Sequence, residues 1–461
     1  MYRYDDLAML GAALPEDILK KKWAGDLTDA IAAIDARLSG PLPESLRALL
    51  RVQRELIKRL DSHYTLSREA ALALFKAEVP DATEAEFDAL EREGWLDFLY
   101  LQGEKVYFKR AIKTLLKAHP GIMARVGKTS PSVPLIDEAI ARMQRDGFAG
   151  LRLRMHVGLR VKDEAFMPGE TYRVYLPIPL EQAQQRQVRI LSLSPQAQCV
   201  DHAQAGQRVA FFEKTLEKNE TFEVTYAYEN LVRYIDLTNP PQPGAVLYPN
   251  CPPPCADDLA QLPPHIVFTP YLRALHAEIA GGEADALRLA RRFYDFVTTQ
   301  VNYSFMRPYF LLESGAEFTA VNLRGDCGLQ SLLFIALCRL SGIPARWQSG
   351  LCAQPDDVGS HDWSQFYLAP YGWLFADCSM GGSAYRAGAL DRWNFFFGNL
   401  DPYRMAANCR YMAQFTPAMR HVRVDPYDSQ EGECEIESRS LLGREVNSFQ
   451  ILLAHEWIPN A

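Results

Sequence analysis

The period of the hydrophobic pattern changes at Leu151, and this change constrains the fold more than any other feature of the chain. From Leu151 to Val161 apolar residues occupy every second position, with charged or small residues between most of them. Such alternation is typical of a β-strand with one buried face. Shorter alternating runs, separated by polar turns, follow at 172–178, 188–190, 209–211 and 222–228. Together these runs predict an antiparallel β-sandwich.

Helical spacing characterises the chain before this point. Thr83-x-x-Glu86 has the form of a capping box ahead of an apolar helical run, which indicates the start of a helix. After the β region, nine prolines between Thr238 and His265 argue against helix or central strand and predict an extended linker. We therefore predict a helical N-terminal domain at 1–147, a β-sandwich at 148–240, a Pro-rich linker at 241–264 and an α+β domain at 265–461.

Charge and hydropathy exclude several classes of partner. The 49 lysines and arginines against 57 aspartates and glutamates give a net charge of −8, which offers no electrostatic footprint for nucleic acid or an anionic membrane. No uninterrupted apolar stretch approaches the roughly 20 residues of a membrane span. The first residues lack the basic start and apolar run of a secretory signal. The sequence therefore predicts a cytoplasmic protein without nucleic-acid or membrane partners, and leaves its oligomeric state open.

The segment around Cys327 predicts a helix with both ends marked. Asp326 stands where an N-cap is expected, an apolar stripe follows, and Gly342 with Pro344 ends the helix. Cys327 then falls in the first turn, where the helix dipole and unpaired N–H groups favour a thiolate and lower the thiol pKa. The same N–H groups could bind an oxyanion.

A histidine and an aspartate follow Cys327 in the order that a nucleophilic cysteine requires. His361 begins strand-like sequence, a turn follows at 369–372, and Asp377 ends the next strand. A tight turn leaves Asp377 opposite residues near 364, so contact with His361 is expected to need a bulge, a shifted register or strong strand coiling. In this interpretation Cys327 is the nucleophile, His361 the general base and later acid, and Asp377 orients the imidazole.

At these residues the chain resembles the transglutaminase-like superfamily, a papain-related fold found in bacterial-type multidomain proteins. The motifs that carry the resemblance are Gly325-Asp326-Cys327 at the start of a helix, His361-x-Trp363 on a strand, and Asp377 after the next strand. The similar region covers roughly 271–381. Gly328 and Cys378-Ser379 depart from the pattern of many relatives, which leaves the three reactive residues intact and the substrate contacts open. The resemblance implies a papain-like catalytic domain within 265–461.

The resemblance also implies a reaction: cysteine-dependent acyl transfer on protein or peptide amides through a thioester. Hydrolysis by a cysteine peptidase or amidase is the predicted outcome, because water is the expected acceptor. An amine-accepting transglutaminase is one alternative, and a noncatalytic protein-interaction module that keeps the fold is another. Candidate donors to the oxyanion or substrate are Asn322, Tyr303, Gln365 and Trp363.

Metals and disulfides are not expected. The chain has no Asp-x-Asp-x-Asp-Gly calcium loop and no paired Cys-x-x-Cys motifs for zinc. Its nine cysteines are too sparse and too irregularly spaced for a disulfide scaffold. The predicted chemistry therefore uses no metal and no cofactor.

Overall fold

The computed structural model describes residues 2–127, 132–237, 239, 246–355 and 357–459. They form two compact units, each assembled from separate stretches of the chain. The first unit comprises Met1–Ser130, Leu262–Thr269 and Val301–Leu329. The second comprises Pro131–Gln261, Pro270–Gln300 and Gln330–Ala461. The domain boundaries proposed after 147, 240 and 264 stay predictions, and linker residues 241–245 lie outside the described residues.

Helices occur in both units. They are α1 (Glu16–Trp23), α2 (Leu27–Leu38), α3 (Glu44–Leu60), α4 (Arg68–Glu78), α5 (Glu84–Arg92), α6 (Ala111–Ala118), α7 (Pro120–Val126), α8 (Ser132–Asp146), α9 (Pro270–Ala280), α10 (Ala286–Gln300), α11 (Gly315–Asn322), α12 (Cys327–Leu340), α13 (Cys378–Arg386) and α14 (Leu390–Phe395). Short 3-10 turns lie at Tyr4–Gly11, Ala256–Asp258, Tyr309–Leu311 and Gly443–Glu445. Within the described ranges, the helices are all too short or too polar to cross a membrane.

Strands also occur in both units. They are β1 (Tyr64–Leu66), β2 (Phe98–Leu101), β3 (Glu104–Phe108), β4 (Phe148–Val161), β5 (Thr171–Pro177), β6 (Gln185–Ser194), β7 (Cys199–Val200), β8 (Val209–Thr215), β9 (Thr221–Arg233), β10 (Asn302–Tyr303), β11 (Arg324–Gly325), β12 (Ala345–Gln354), β13 (Asp357–Leu368), β14 (Gly372–Ala376), β15 (Phe397–Gly398), β16 (Arg404–Asn408), β17 (Glu433–Glu435) and β18 (Val446–Trp457).

The first unit combines helices with a small antiparallel sheet of order β1-β3-β2. The predicted cap of α5 is confirmed, because the Thr83 hydroxyl accepts the N–H of Glu86 at 3.2 Å. The sheet was not expected in a helical N-terminal domain. The feature of the sequence that corresponds to this sheet is the dipeptide Gln102-Gly103, which forms the two-residue turn between β2 and β3. Both residues adopt positive φ angles, as such hairpin turns require.

The second unit contains two four-stranded sheets, of order β18-β4-β9-β6 and β17-β5-β8-β7. The alternating run that begins at Leu151 is confirmed as β4, and its apolar side chains share a buried core with those of β5, β8 and β9. Strand β18, from the end of the chain, pairs with β4 along most of its length. The sandwich sheets therefore include strands from the segment 265–461, far from their partners in sequence.

A third sheet in the second unit has the order β15-β14-β13-β12-β16, and all its neighbouring strands are antiparallel. Helix α12 packs on this sheet: the Phe334 and Phe366 rings lie 5.6 Å apart, edge to face. The Ser364 hydroxyl donates to the Ser331 carbonyl at 3.4 Å. These contacts fix α12 against β13, the strand that carries the predicted histidine.

Candidate active site

Cys327 is the first residue of α12, as predicted, and its side chain is partly exposed. The Asp326 carboxylate accepts the N–H of Leu329 at 3.1 Å, which is the expected N-cap bond. The Tyr309 hydroxyl donates to the same carboxylate oxygen at 2.7 Å. The start of the helix is therefore held by Asp326 within the first unit.

The pKa of Asp326 is raised to about 6. Burial is the main cause, although the Tyr309 hydroxyl and the Leu329 N–H favour the ionised form. At neutral pH the carboxylate is therefore mostly ionised, directly before Cys327 in the chain. A negative charge beside a thiol disfavours the thiolate, so Asp326 opposes the effect of the helix dipole on Cys327.

We expect Asp326→Asn to lower the pH midpoint of Cys327 alkylation without disturbing the helix. Asparagine caps a helix about as well as aspartate but carries no charge. Iodoacetamide labelling followed by mass spectrometry measures the midpoint. Asp326→Ala is the matched comparison: it also removes the charge, but it loses the cap, which costs about 1 kcal/mol of stability. A raised midpoint in Asp326→Asn would contradict this account.

His361 and Asp377 meet in the second unit. His361 Nε2 and Asp377 Oδ2 lie 2.8 Å apart, and both side chains are buried. Strands β13 and β14 pair without a register shift, with Ser364 opposite Ala376. Asp377 follows Ala376 and so stands opposite Trp363, two residues along β13 from His361. Side chains at such diagonal positions on neighbouring strands can reach each other. Of the three expected routes to this contact, a bulge and a shifted register between these strands are therefore ruled out, and strong strand coiling stays a prediction.

Two further contacts fix the Asp377 carboxylate. Its Oδ1 accepts the N–H of Met380 at 2.9 Å and so caps α13. Its Oδ2 lies 2.9 Å from Nη2 of Arg404, a buried arginine that the sequence did not mark. Burial alone would raise the pKa of Asp377, but the positive charges of His361 and Arg404 outweigh it and hold the pKa at about 2. Asp377 is therefore a permanent anion at neutral pH.

Two of the predicted donors lie on β13, the strand of His361. The Trp363 indole N–H donates to Gln348 at 2.6 Å, and its ring stacks on the His361 ring with centroids 6.0 Å apart. The Gln365 side-chain oxygen accepts from Arg346 at 2.8 Å, and Gln365 is fully buried. Trp363 therefore supports the His361 ring by packing, while its N–H is engaged by another side chain.

The other two predicted donors lie in the first unit. The Asn322 amide donates to the Phe318 carbonyl at 2.8 Å, within α11. Tyr303 lies in β10, which pairs with β11, a strand that ends two residues before Cys327. The Tyr303 ring faces the Lys117 ammonium at 4.5 Å. The oxyanion role of Asn322, Tyr303, Gln365 and Trp363 stays a prediction.

A groove of about 650 Å³ opens in the first unit, a volume typical of ligand sites. Its lining is mainly apolar and includes the exposed side chains of Trp23, Tyr100 and Val321, which are 71%, 52% and 56% exposed. Lys22 on its rim pairs with Glu313 at 3.0 Å. The groove thus presents aromatic and aliphatic surface with rim charges that partly neutralise each other.

The side chains offer thiol and acid–base chemistry. In the part of the chain that the structure describes, no three or more His, Cys, Asp and Glu side chains converge in a way that could hold a metal ion.

Sequence comparison identifies the segment that holds these residues. Residues 273–378 match the pattern of the Transglutaminase-like superfamily. This segment is a transglutaminase-like core. It contains Cys327, His361 and Asp377, together with α12 and strands β12 to β14. The resemblance that the motifs indicated is confirmed for this part of the chain.

Solved structures show weaker similarity, and no curated protein matches the chain. A candidate cysteine protease from Cytophaga hutchinsonii has a TM-score of 0.39 at 14% identity, covering 68% of this chain and 90% of that one. The periplasmic domain of TgpA from Pseudomonas aeruginosa has a TM-score of 0.29 at 18% identity, covering 55% and 95%. Scores of this size carry no argument about function, so the assignment of the core rests on the sequence pattern.

Proposed function

We propose that the protein is a transglutaminase-like cysteine peptidase or amidase that transfers acyl groups from protein or peptide amides to water. The observation that carries the proposal is the buried His361–Asp377 pair, 2.8 Å apart, in the same core as a cysteine at the first turn of a helix. A histidine that bonds to a permanently ionised carboxylate is oriented to take a proton from a thiol.

Helix α12 is held against β13, the strand that carries His361. Ser331 lies one helical turn, about 5.4 Å of rise, after Cys327. Its carbonyl accepts a hydrogen bond from Ser364, which stands three residues after His361 in β13. The helix that begins with the proposed nucleophile is thus anchored next to the histidine's own strand.

The proposed reaction has two steps. His361 takes the proton of the Cys327 thiol, the sulfur attacks the amide carbon, and the carbon–nitrogen bond breaks as His361 protonates the leaving amine. Water then attacks the thioester, His361 takes the water proton, and the carboxylic acid leaves as the thiol is restored. Asp377 stays ionised throughout and stabilises the imidazolium that forms in each step.

Alkylation of each cysteine as a function of pH tests this proposal in the wild type and in His361→Ala. We expect Cys327 to react with a midpoint well below the ordinary thiol value of about 8.5, and the variant to raise that midpoint, because it removes the proton acceptor. Cys338 is an internal reference on the same helix, since burial raises the pKa of its thiol well above the ordinary value. An ordinary midpoint for Cys327 in both proteins would refute the proposal.

The acyl acceptor is tested with a peptide substrate in the presence of a primary amine. Mass spectrometry distinguishes the free acid from the amine adduct. A dominant adduct would make the protein an amine-accepting transglutaminase with the same reactive residues. The proposed setting is the cytoplasm, because the nine cysteines are too sparse and too irregularly spaced for the disulfide scaffold of a secreted protein.

The second candidate function is a noncatalytic interaction module, and the apolar groove of the first unit favours it. Exposed Trp23, Tyr100 and Val321 suit a protein segment with large apolar side chains, since a patch of this kind is typical of a docking surface. This candidate predicts that Trp23→Ala impairs the cellular function and that Cys327→Ala leaves it intact. The enzyme hypothesis predicts the loss of function in Cys327→Ala.

A further inference from the structure

A buried arginine joins Asp377 to a second carboxylate. Arg404 Nη2 lies 2.9 Å from Asp377 Oδ2 and 2.6 Å from Asp401 Oδ2, and Arg404 Nε donates to the same Asp401 oxygen at 2.9 Å. All three side chains are fully buried. The pair His361–Asp377 is therefore part of a larger charged group that includes Arg404 and Asp401.

The arginine is held rigidly. It lies in β16, opposite Cys352 of β12, and its guanidinium faces the Trp363 ring at 5.3 Å. The other oxygen of Asp401 accepts the N–H of Tyr403 at 3.0 Å. Strand pairing, ring packing and the bonds to Asp401 all restrict Arg404, so its charge stays at a fixed place behind the Asp377 carboxylate.

The charges of this group act on His361. Both His361 Nε2 and Arg404 Nη2 contact the same Asp377 oxygen, so they lie within the roughly 4–6 Å over which a neighbouring charge shifts a pKa. Two carboxylates and one guanidinium give a net charge of −1 next to a neutral imidazole. Protonation of His361 makes the group neutral, which favours the imidazolium form that a thiolate needs as its partner.

We propose that Arg404 and Asp401 are positioning residues that set the protonation equilibrium of His361 through Asp377. This inference rests on the proposed function, because it gives His361 the role of the base. Arg404 keeps Asp377 ionised and in place. Asp401 cancels the arginine charge that would otherwise oppose protonation of the imidazole.

Other titratable side chains on the elements around His361 set the background for this test. They are Asp362, Glu431, Cys352, Cys378 and Tyr294. Glu431 accepts a hydrogen bond from the Ser360 hydroxyl, next to His361 in the chain. Asp362 accepts a hydrogen bond from Gln430, which also donates to the His361 carbonyl at 3.2 Å. Burial raises the pKa of Cys378 and Tyr294 well above their ordinary values, so both are neutral at physiological pH.

The test compares a single variant that changes the net charge of this group with a double variant that leaves it unchanged. Asp401→Asn removes one negative charge, so the midpoint of His361 titration is expected to fall by about one pH unit. The double variant Asp401→Asn with Arg404→Gln removes one charge of each sign and is expected to return the midpoint to the wild-type value. NMR of ¹³C-labelled histidine measures both, with His361 assigned by loss of its signal in His361→Gln.

A purely structural role for these residues predicts unfolding or lost activity but no such pattern of midpoints. An unchanged midpoint in Asp401→Asn, or a double variant that stays as low as the single one, would overturn the proposal. Glu220→Gln is the matched control, because it breaks an exposed ion pair with Lys214 at the turn between β8 and β9 and should leave the midpoint unchanged.

The measurement separates this proposal from the proposed function. The histidine titration does not depend on turnover, so it remains decisive if no peptide is hydrolysed. Where hydrolysis is observed, the limb of the pH profile of kcat/KM that reports His361 should shift in Asp401→Asn and return to the wild-type position in the double variant. Hydrolysis with unshifted midpoints would preserve the peptidase assignment and remove Arg404 and Asp401 from its machinery.

Discussion

Cys327→Ala is expected to abolish peptide hydrolysis, with kcat/KM at least about 10⁴-fold below the wild type. The thiol sulfur forms the covalent bond in the proposed mechanism, and alanine offers no nucleophile in its place. The fold should survive, because the start of α12 is held by the Asp326 cap and by the apolar face of the helix. Initial rates on a peptide substrate, together with thermal unfolding, measure both effects.

Cys199→Ala is the matched control for this variant. Cys199 carries the same thiol group, but it is exposed in β7. It should keep wild-type turnover and lose only its own alkylation signal. Full turnover in Cys327→Ala would eliminate the covalent mechanism, and retention of the cellular function without turnover would favour the interaction module.

The helix of the site was predictable because its determinants are local. The cap by Asp326 and the stop at Gly342, which has a positive φ of 74°, each depend on a few adjacent residues. The order and spacing of Cys327, His361 and Asp377 also follow from sequence alone. Local signals of this kind predict which residues begin a helix or lie on a strand. Here they pointed to three residues that lie within the transglutaminase-like segment 273–378.

Contacts between distant strands were not predictable in the same way. Alternation shows which face of a strand is buried, but it does not name the partner or the register. The pairing of β18 with β4, some 300 residues away, is one example. The Arg404–Asp377 contact is another, because Asp401-x-x-Arg404 is an ordinary spacing until β16 pairs with β12 and buries both charges next to Asp377.

Asp377→Asn is expected to lower kcat/KM by about 10⁴-fold, the size of effect seen when an orienting aspartate becomes an amide. Asparagine keeps an oxygen for the N-cap of α13, but it loses the anion that bonds to His361 and Arg404. The imidazole is then no longer held in the useful tautomer, and the imidazolium is no longer stabilised. Single-turnover kinetics with the wild type and the variant measure this effect on the chemical step.

The same variant has a signature in the pH dependence of stability. Because the pKa of Asp377 is lowered from 3.8 to about 2 in the fold, its ionisation stabilises the folded state by roughly 2 kcal/mol above about pH 4. That contribution is lost as the pH falls towards 2, so the difference in unfolding free energy between wild type and Asp377→Asn should shrink over this window. Asp295→Asn should show no such convergence, because burial raises the pKa of Asp295 rather than lowering it. A constant difference at all pH values would mean that the Asp377 charge does not contribute to stability.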